Sequence, residues 1–141
     1  MSEQVIAEQV KGVSTAIFER AKAAIDKKAA IGNDIDLDKY VKNVPIRERL
    51  TTLNELESGI KERALTIGMD SSEANRSGSF FQHDQTVVLS KPMQEGLEVM
   101  DINDALEKYE WLKDYFFKLV QPDQDKYTAY SATHKFAGYF L

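Results

Sequence analysis

Phe80-Phe81-Gln82-His83-Asp84-Gln85-Thr86-Val87-Val88-Leu89 decides the fold class of this 141-residue chain. Its aromatic and β-branched side chains suit a pleated, half-buried surface, so the run predicts a strand. Lys91-Pro92 closes it. Leu97-Glu98-Val99-Met100 then alternates as a second short strand, giving a hairpin-like β element inside a chain that otherwise reads as helix. The class expected is α+β, mainly helical.

Upstream of the strand, Thr52 and Glu55 form a T-x-x-E capping box before Leu53, Leu56, Ile60, Ala64 and Ile67, which predicts a helix ending at Gly68. Gly59 within it costs about 1 kcal/mol relative to alanine, so this helix must rely on packing. Further upstream Ile6, Val10, Val13, Ile17, Ala21 and Ala24 recur at three- and four-residue steps, predicting one long amphipathic helix over residues 1–33 that stops at Gly32. Its alanine-rich stripe is thin and interrupted by Arg20, so weak docking or pairing with another chain is expected. The acidic stretch 34–44, with Asp34, Asp36 and Asp38, reads as a linker, and residues 45–141 as the main domain.

Downstream, Asp101 and Asp104 open a helix carrying Leu106, Tyr109, Leu112, Phe116 and Leu119, which Pro122 terminates. Ten of the 14 aromatic residues lie between Tyr109 and Phe140, so this segment is expected to be the best core helix. Its aromatic stripe would also promote self-association wherever it is left uncovered. Asp125 caps a short helix from Lys126 to about His134. The closing run Phe136-Ala137-Gly138-Tyr139-Phe140-Leu141 is apolar and β-like, and with nothing after it the sequence reads as the front portion of a longer protein.

Eighteen Lys and Arg against 23 Asp and Glu leave a net charge of −5, which supplies no field for binding nucleic acid. No apolar run approaches the roughly 20 residues of a membrane-spanning helix. No membrane partner is expected, and a cytoplasmic location follows by default from the absence of a basic-then-apolar signal at Met1-Ser2-Glu3-Gln4. Zero cysteines exclude thiolate ligands and thiolate nucleophiles on this chain.

Candidate sites are few. His83 and Asp84 fall on opposite faces of a strand and so form no relay. His134 sits at a helix end as a donor to the last carbonyls. Asp34, Asp36 and Asp38 alternate like the start of a calcium loop, but Ile35 and Leu37 intervene and the required glycine and closing Glu are missing. Gly78 lies in no phosphate-binding pattern, and Arg76 reads as a turn-stabilising residue. No serine or threonine has an orienting base. No catalytic, cofactor-binding or metal-binding residue is therefore assigned, no cofactor is expected on this chain, and it is not expected to be an enzyme.

Four blocks in order resemble the N-terminal region of the SufB/SufD family, the scaffold subunits of iron–sulfur cluster assembly. They are Asn75-Arg76-Ser77-Gly78-Ser79-Phe80-Phe81-Gln82; Met100-Asp101-Ile102-Asn103-Asp104-Ala105-Leu106; Asp114-Tyr115-Phe116-Phe117-Lys118-Leu119-Val120; and Lys126-Tyr127-Thr128-Ala129 followed by Gly138-Tyr139-Phe140-Leu141. The resemblance covers residues 50–141, while residues 1–44 match no part of it. It implies that 136–141 is the first strand of a truncated right-handed β-helix. It also implies partners, namely the other Suf scaffold subunit and a SufC-type ATPase, whereas the expectation of a homo-oligomer rests on the aromatic stripe from Tyr109 to Phe117. The family's cluster-assembly residues lie beyond these blocks, so none maps onto this chain. A proline that often separates two helices in the family is absent from Lys108-Tyr109-Glu110-Trp111, which allows one bent or continuous helix there. Lys135 and Phe136 replace small residues, leaving SufB and SufD both open. A free-standing helical adaptor that binds a protein partner is the alternative reading.

Overall fold

A computed structural model describes residues 13–40, 44–134 and 136–141. In chain order these hold helix α1 (Thr15–Lys22), helix α2 (Ser58–Thr66), strands β1 (Gly78–His83), β2 (Thr86–Pro92) and β3 (Met100–Asp101), helix α3 (Ile102–Lys108), helix α4 (Lys126–Thr133) and strand β4 (Tyr139–Phe140). Short 3-10 turns stand at Leu37–Lys39, Leu53–Glu55 and Glu110–Asp114. The class is α+β, with two small antiparallel sheets, β1-β2 and β3-β4.

The chain divides into two compact units, each built from separate stretches. One holds the described residues of Met1–Val44 with those of Asn103–Phe136. The other holds Pro45–Ile102 with Ala137–Leu141.

In the first unit the long helix expected over residues 1–33 is corrected. Ser14 caps α1 by accepting from the Ile17 amide, and the helix ends at Lys22, ten residues before Gly32. Ile6 and Val10 lie outside the described residues. Ala21 and Ala24 pack against Ala129 and Ala132 of α4, with Ile17 and Phe117 alongside. Methyl-sized side chains let two helix backbones approach closely, so the thin stripe is a helix–helix seam inside the unit rather than a weak face. Arg20 adds an ion pair to Asp123 at 2.6 Å.

The expected core helix over 102–119 is also corrected. It is broken at Tyr109, whose backbone is extended at φ −117° and ψ 97°, and only Ala105 and Leu106 are buried along α3. No proline causes this break. Past it the aromatics pack on one another, Trp111 against Tyr115 and Phe116 against Phe117, and Phe117 takes the left-handed φ of 57° to reach the alanine seam. For a bulky residue that conformation is strained, and the packing of its ring offsets the cost.

In the second unit the single strand expected over 80–89 is a hairpin. Gly78 pairs with Pro92 and His83 with Thr86, with a bulge at Phe81/Gln82. Asp84 makes the tight reversal possible by adopting φ 55°, a left-handed conformation that Asp tolerates better than most residues. Thr86 to Leu89 are all buried, and Leu50 donates its amide to the Val88 carbonyl, covering part of the β2 edge. Leu53, Leu56 and Leu89 form the core here, with Leu50, Ile60, Met69 and Phe81 around them. The second expected strand shrinks to β3, which pairs with β4 rather than with the hairpin. Gly78 is required by space, since a Cβ there would stand 2.9 Å from the Val99 Cγ2.

The capping box at Thr52 is present, but it opens a 3-10 turn rather than the helix. Leu56 is extended, and α2 begins only after Glu57.

Candidate functional site

Three places concentrate polar or exposed apolar chemistry, and each lies within one unit. In the first unit a polar cleft of about 320 Å³ is lined by Asp26, Asp34, Asp36, Lys126, Tyr130 and His134 among others. Asp125 directly precedes the lining residue Lys126. Its carboxylate accepts from the Tyr127 and Thr128 amides at 3.0 Å and from the Ala30 amide at 3.1 Å, so one residue caps α4 and holds the segment that follows α1. Those backbone hydrogen bonds, Thr128 first and then Ala30, hold its carboxyl below the usual carboxylate range.

Lys126, the next residue, reaches across the cleft. Its Nζ lies 2.9 Å from the Asp34 Oδ1 and also donates to the Ile35 carbonyl. The side-chain hydrogen bond between Lys126 and Asp34 is the main reason that Asp34 is held below its ordinary range and Lys126 above its own. Tyr127 completes the tie by accepting from the Ile35 amide at 2.7 Å and donating to the Asn33 carbonyl at 3.3 Å. The acidic stretch expected to be a linker is thereby fastened to α4. Asp36 faces its own turn, accepting from the Asp38 amide at 3.0 Å. Asp34 and Asp36 thus serve different partners, and among the described residues no group of His, Asp and Glu is arranged to hold a metal ion. His134 caps α4, its Nδ1 3.1 Å from the Tyr130 carbonyl and its ring stacked 3.7 Å from the Tyr130 ring.

In the second unit Glu73 is a buried carboxylate. Its Oε2 accepts from the Thr52 hydroxyl at 2.8 Å and the Leu53 amide at 3.1 Å, with the Lys91 ammonium at 4.0 Å. Burial pushes its pKa up, but the Thr52, Leu53 and Ser79 hydrogen bonds and Lys91 outweigh that and leave it lowered. Glu73 itself stands at φ 58°, a conformation the short polar loop 71–79 did not advertise. Thr52→Ala removes both the turn cap and one Glu73 donor, and should lower stability by about 1 kcal/mol, read as a shift of the urea midpoint. At the hairpin tip the turn carries Asp84 out of the strand alternation, so the His83 Nε2 comes to 3.8 Å from the Asp84 Oδ2, correcting the expected opposite faces. Arg47 is the closer partner at 3.1 Å. Arg76 donates to the Asp70 carbonyl at 3.0 Å, holding the loop before β1.

The third place is apolar. Residues 115–120 line a groove of about 270 Å³ in the first unit, with Tyr115 70% and Leu119 100% exposed. Taken together, these groups tie segments and offer surface. Among the described residues no helix is long and apolar enough to cross a membrane.

No family model matches the chain. It is 40% identical over 129 residues to an iron-sulfur cluster assembly SufBD family protein of Methanothermobacter thermautotrophicus strain Delta H, a match covering 88% of this chain and 32% of that protein. A homologue from strain Winter of the same species is 38% identical over the same shares. A SufBD family protein of Archaeoglobus fulgidus is 42% identical over 81 residues, or 57% of this chain and 22% of its own length. The chain thus spans about a third or less of the curated relatives it matches. An 88% match also leaves too small a remainder to hold all of residues 1–44, so the likeness begins earlier than the blocks alone indicated. On these relationships, the chain belongs to the SufB/SufD family.

Proposed function

We propose that this chain is the N-terminal, non-catalytic portion of a SufB/SufD-type scaffold that takes part in cytoplasmic iron–sulfur cluster assembly, with the other Suf scaffold subunit and a SufC-type ATPase as partners. The observation that carries this reading is the likeness, over 129 residues, to proteins named for iron-sulfur cluster assembly. The chemistry of the sequence agrees with a supporting part. A nascent cluster needs thiolate or comparable ligands, and this chain has no cysteine to supply one. In this reading the cluster is cargo held elsewhere, and 136–141 leads into the β-helix.

Two measurements test it. Anaerobic incubation of the chain with iron and sulfide, followed by gel filtration, should leave far less than one iron per chain. The full-length protein carrying this sequence should co-purify with the SufC-type ATPase of the same organism when the two are co-expressed. Stoichiometric iron and sulfide on the chain, or no recovery of the ATPase, defeats the proposal.

A further inference from the structure

We infer that loop 70–77 is a strap latched onto the 3-10 turn at Leu53–Glu55 by the charge of Glu73, and that it opens while the β1-β2 hairpin stays folded. The inference is independent of the assembly role. All of its parts lie within the Pro45–Ile102 unit.

The strap has one anchor. Of residues 70–77 only Glu73 is buried, with its side chain 4% exposed. Within the loop, the Ser72 amide donates to the Asp70 Oδ1 at 2.8 Å and the Glu73 amide to the Asp70 carbonyl at 3.3 Å, the carbonyl that Arg76 also engages. These bonds shape the loop from inside. What fastens its middle to another segment is the Glu73 Oε2, through the Thr52 hydroxyl and the Leu53 amide, with the Lys91 ammonium of β2 facing the same oxygen. Only at Ser77, whose carbonyl accepts from the Met93 amide at 2.7 Å, does the loop join the hairpin.

Closing the strap carries two costs. Glu73 and Asn75 stand at φ 58° and 59°, and the left-handed region suits Asn far better than Glu. The second Glu73 oxygen, Oε1, is buried with no hydrogen-bond partner among the described residues, so the closed state forgoes water that an ionised carboxylate attracts strongly. Opening relieves both. Against them stand two hydrogen bonds strengthened by the negative charge and the attraction of Lys91, so the balance turns on that charge.

The neighbours do not need the strap in order to stay folded. The Glu55 Oε1 accepts from the Thr51 and Thr52 amides at 3.3 and 3.0 Å and so holds the 3-10 turn from its own side. The hairpin keeps its ladder from Gly78 to Pro92. An opening confined to the strap exposes little surface, so it should depend only weakly on denaturant, whereas unfolding of the hairpin should depend on it strongly.

The test measures amide exchange by NMR on the purified full chain over a series of urea concentrations below the unfolding transition. The amides of positions 53 and 73 should exchange at rates that urea leaves unchanged, while those of the hairpin accelerate with urea. Glu73→Gln, which keeps the shape and removes the charge, should speed exchange at positions 53 and 73 by about tenfold or more, still without dependence on urea. Thr52→Ala, which removes one donor and keeps the charge, should give a smaller rise of the same kind and carries the test if Glu73→Gln does not fold. Exchange at positions 53 and 73 that rises with urea in step with the hairpin would show that no separate opening exists and would overturn the inference. Rates in either variant equal to those of the parent would overturn it as well.

Discussion

Leu53→Ala lowers the stability of the Pro45–Ile102 unit by about 3 kcal/mol, the largest effect expected of any substitution considered. Leu53 has no exposed surface, and its side chain joins Leu56 and Leu89, so truncation leaves a cavity between the 3-10 turn and β2. The turn is pinned by Glu73 and Thr52 and cannot collapse inward without giving up those hydrogen bonds. Amide exchange along β1 and β2 should accelerate by about a hundredfold or more, since 1.4 kcal/mol corresponds to a factor of ten. Leu53→Met, which nearly preserves volume, should cost less than half as much. Equal exchange rates in the alanine variant and the parent would show that the core does not pass through Leu53.

Asp125→Ala should cost about 2 kcal/mol, at the upper end for a helix cap, because one carboxylate serves three backbone amides from two segments. Asp125→Asn keeps an acceptor and should recover most of that loss at neutral pH. The two variants differ in acid. The folded-state pKa of Asp125 is lowered, so its contribution is complete above the unfolded carboxylate value of about 4 and is lost as pH falls through the lower folded value. Raising the pH from 7 to 9 should leave the contribution intact. A thermal melt series from pH 7 down to pH 3 should therefore fall less steeply for Asp125→Asn than for the parent, and an identical slope would refute the assignment.

Legibility in the sequence followed the range over which each signal acts. Asp125 marks the start of α4 locally, and its cap is the one expected. The T-x-x-E box at Thr52 was legible as a box, yet what it opens depended on Leu56, which turns inward to Leu53 and Leu89 and so breaks the run. The hairpin was hidden because its reversal uses Asp-Gln, where the strongest turn signals use Asn-Gly or Asp-Gly. Tyr109 is an ordinary helix residue, and its extended backbone is imposed by packing of the aromatics around it, a tertiary override no local pattern discloses. The polar cleft was unreadable for the same reason. Asp34 and Lys126 stand far apart in sequence, and only the packing of α1 on α4 makes Asp34 part of a site rather than of a solvated linker.

The pairing of β3 with β4 sets an order of events during synthesis. Met100 and Asp101 leave the ribosome almost forty residues ahead of Tyr139 and Phe140, their antiparallel partners. The β1-β2 hairpin closes over a two-residue turn and has no such delay. At about 5–20 residues per second the interval is a few seconds, far longer than a hairpin needs to form. The pairing of β3 with β4 is thus the late step of this unit, made only once Tyr139 and Phe140 have been synthesised.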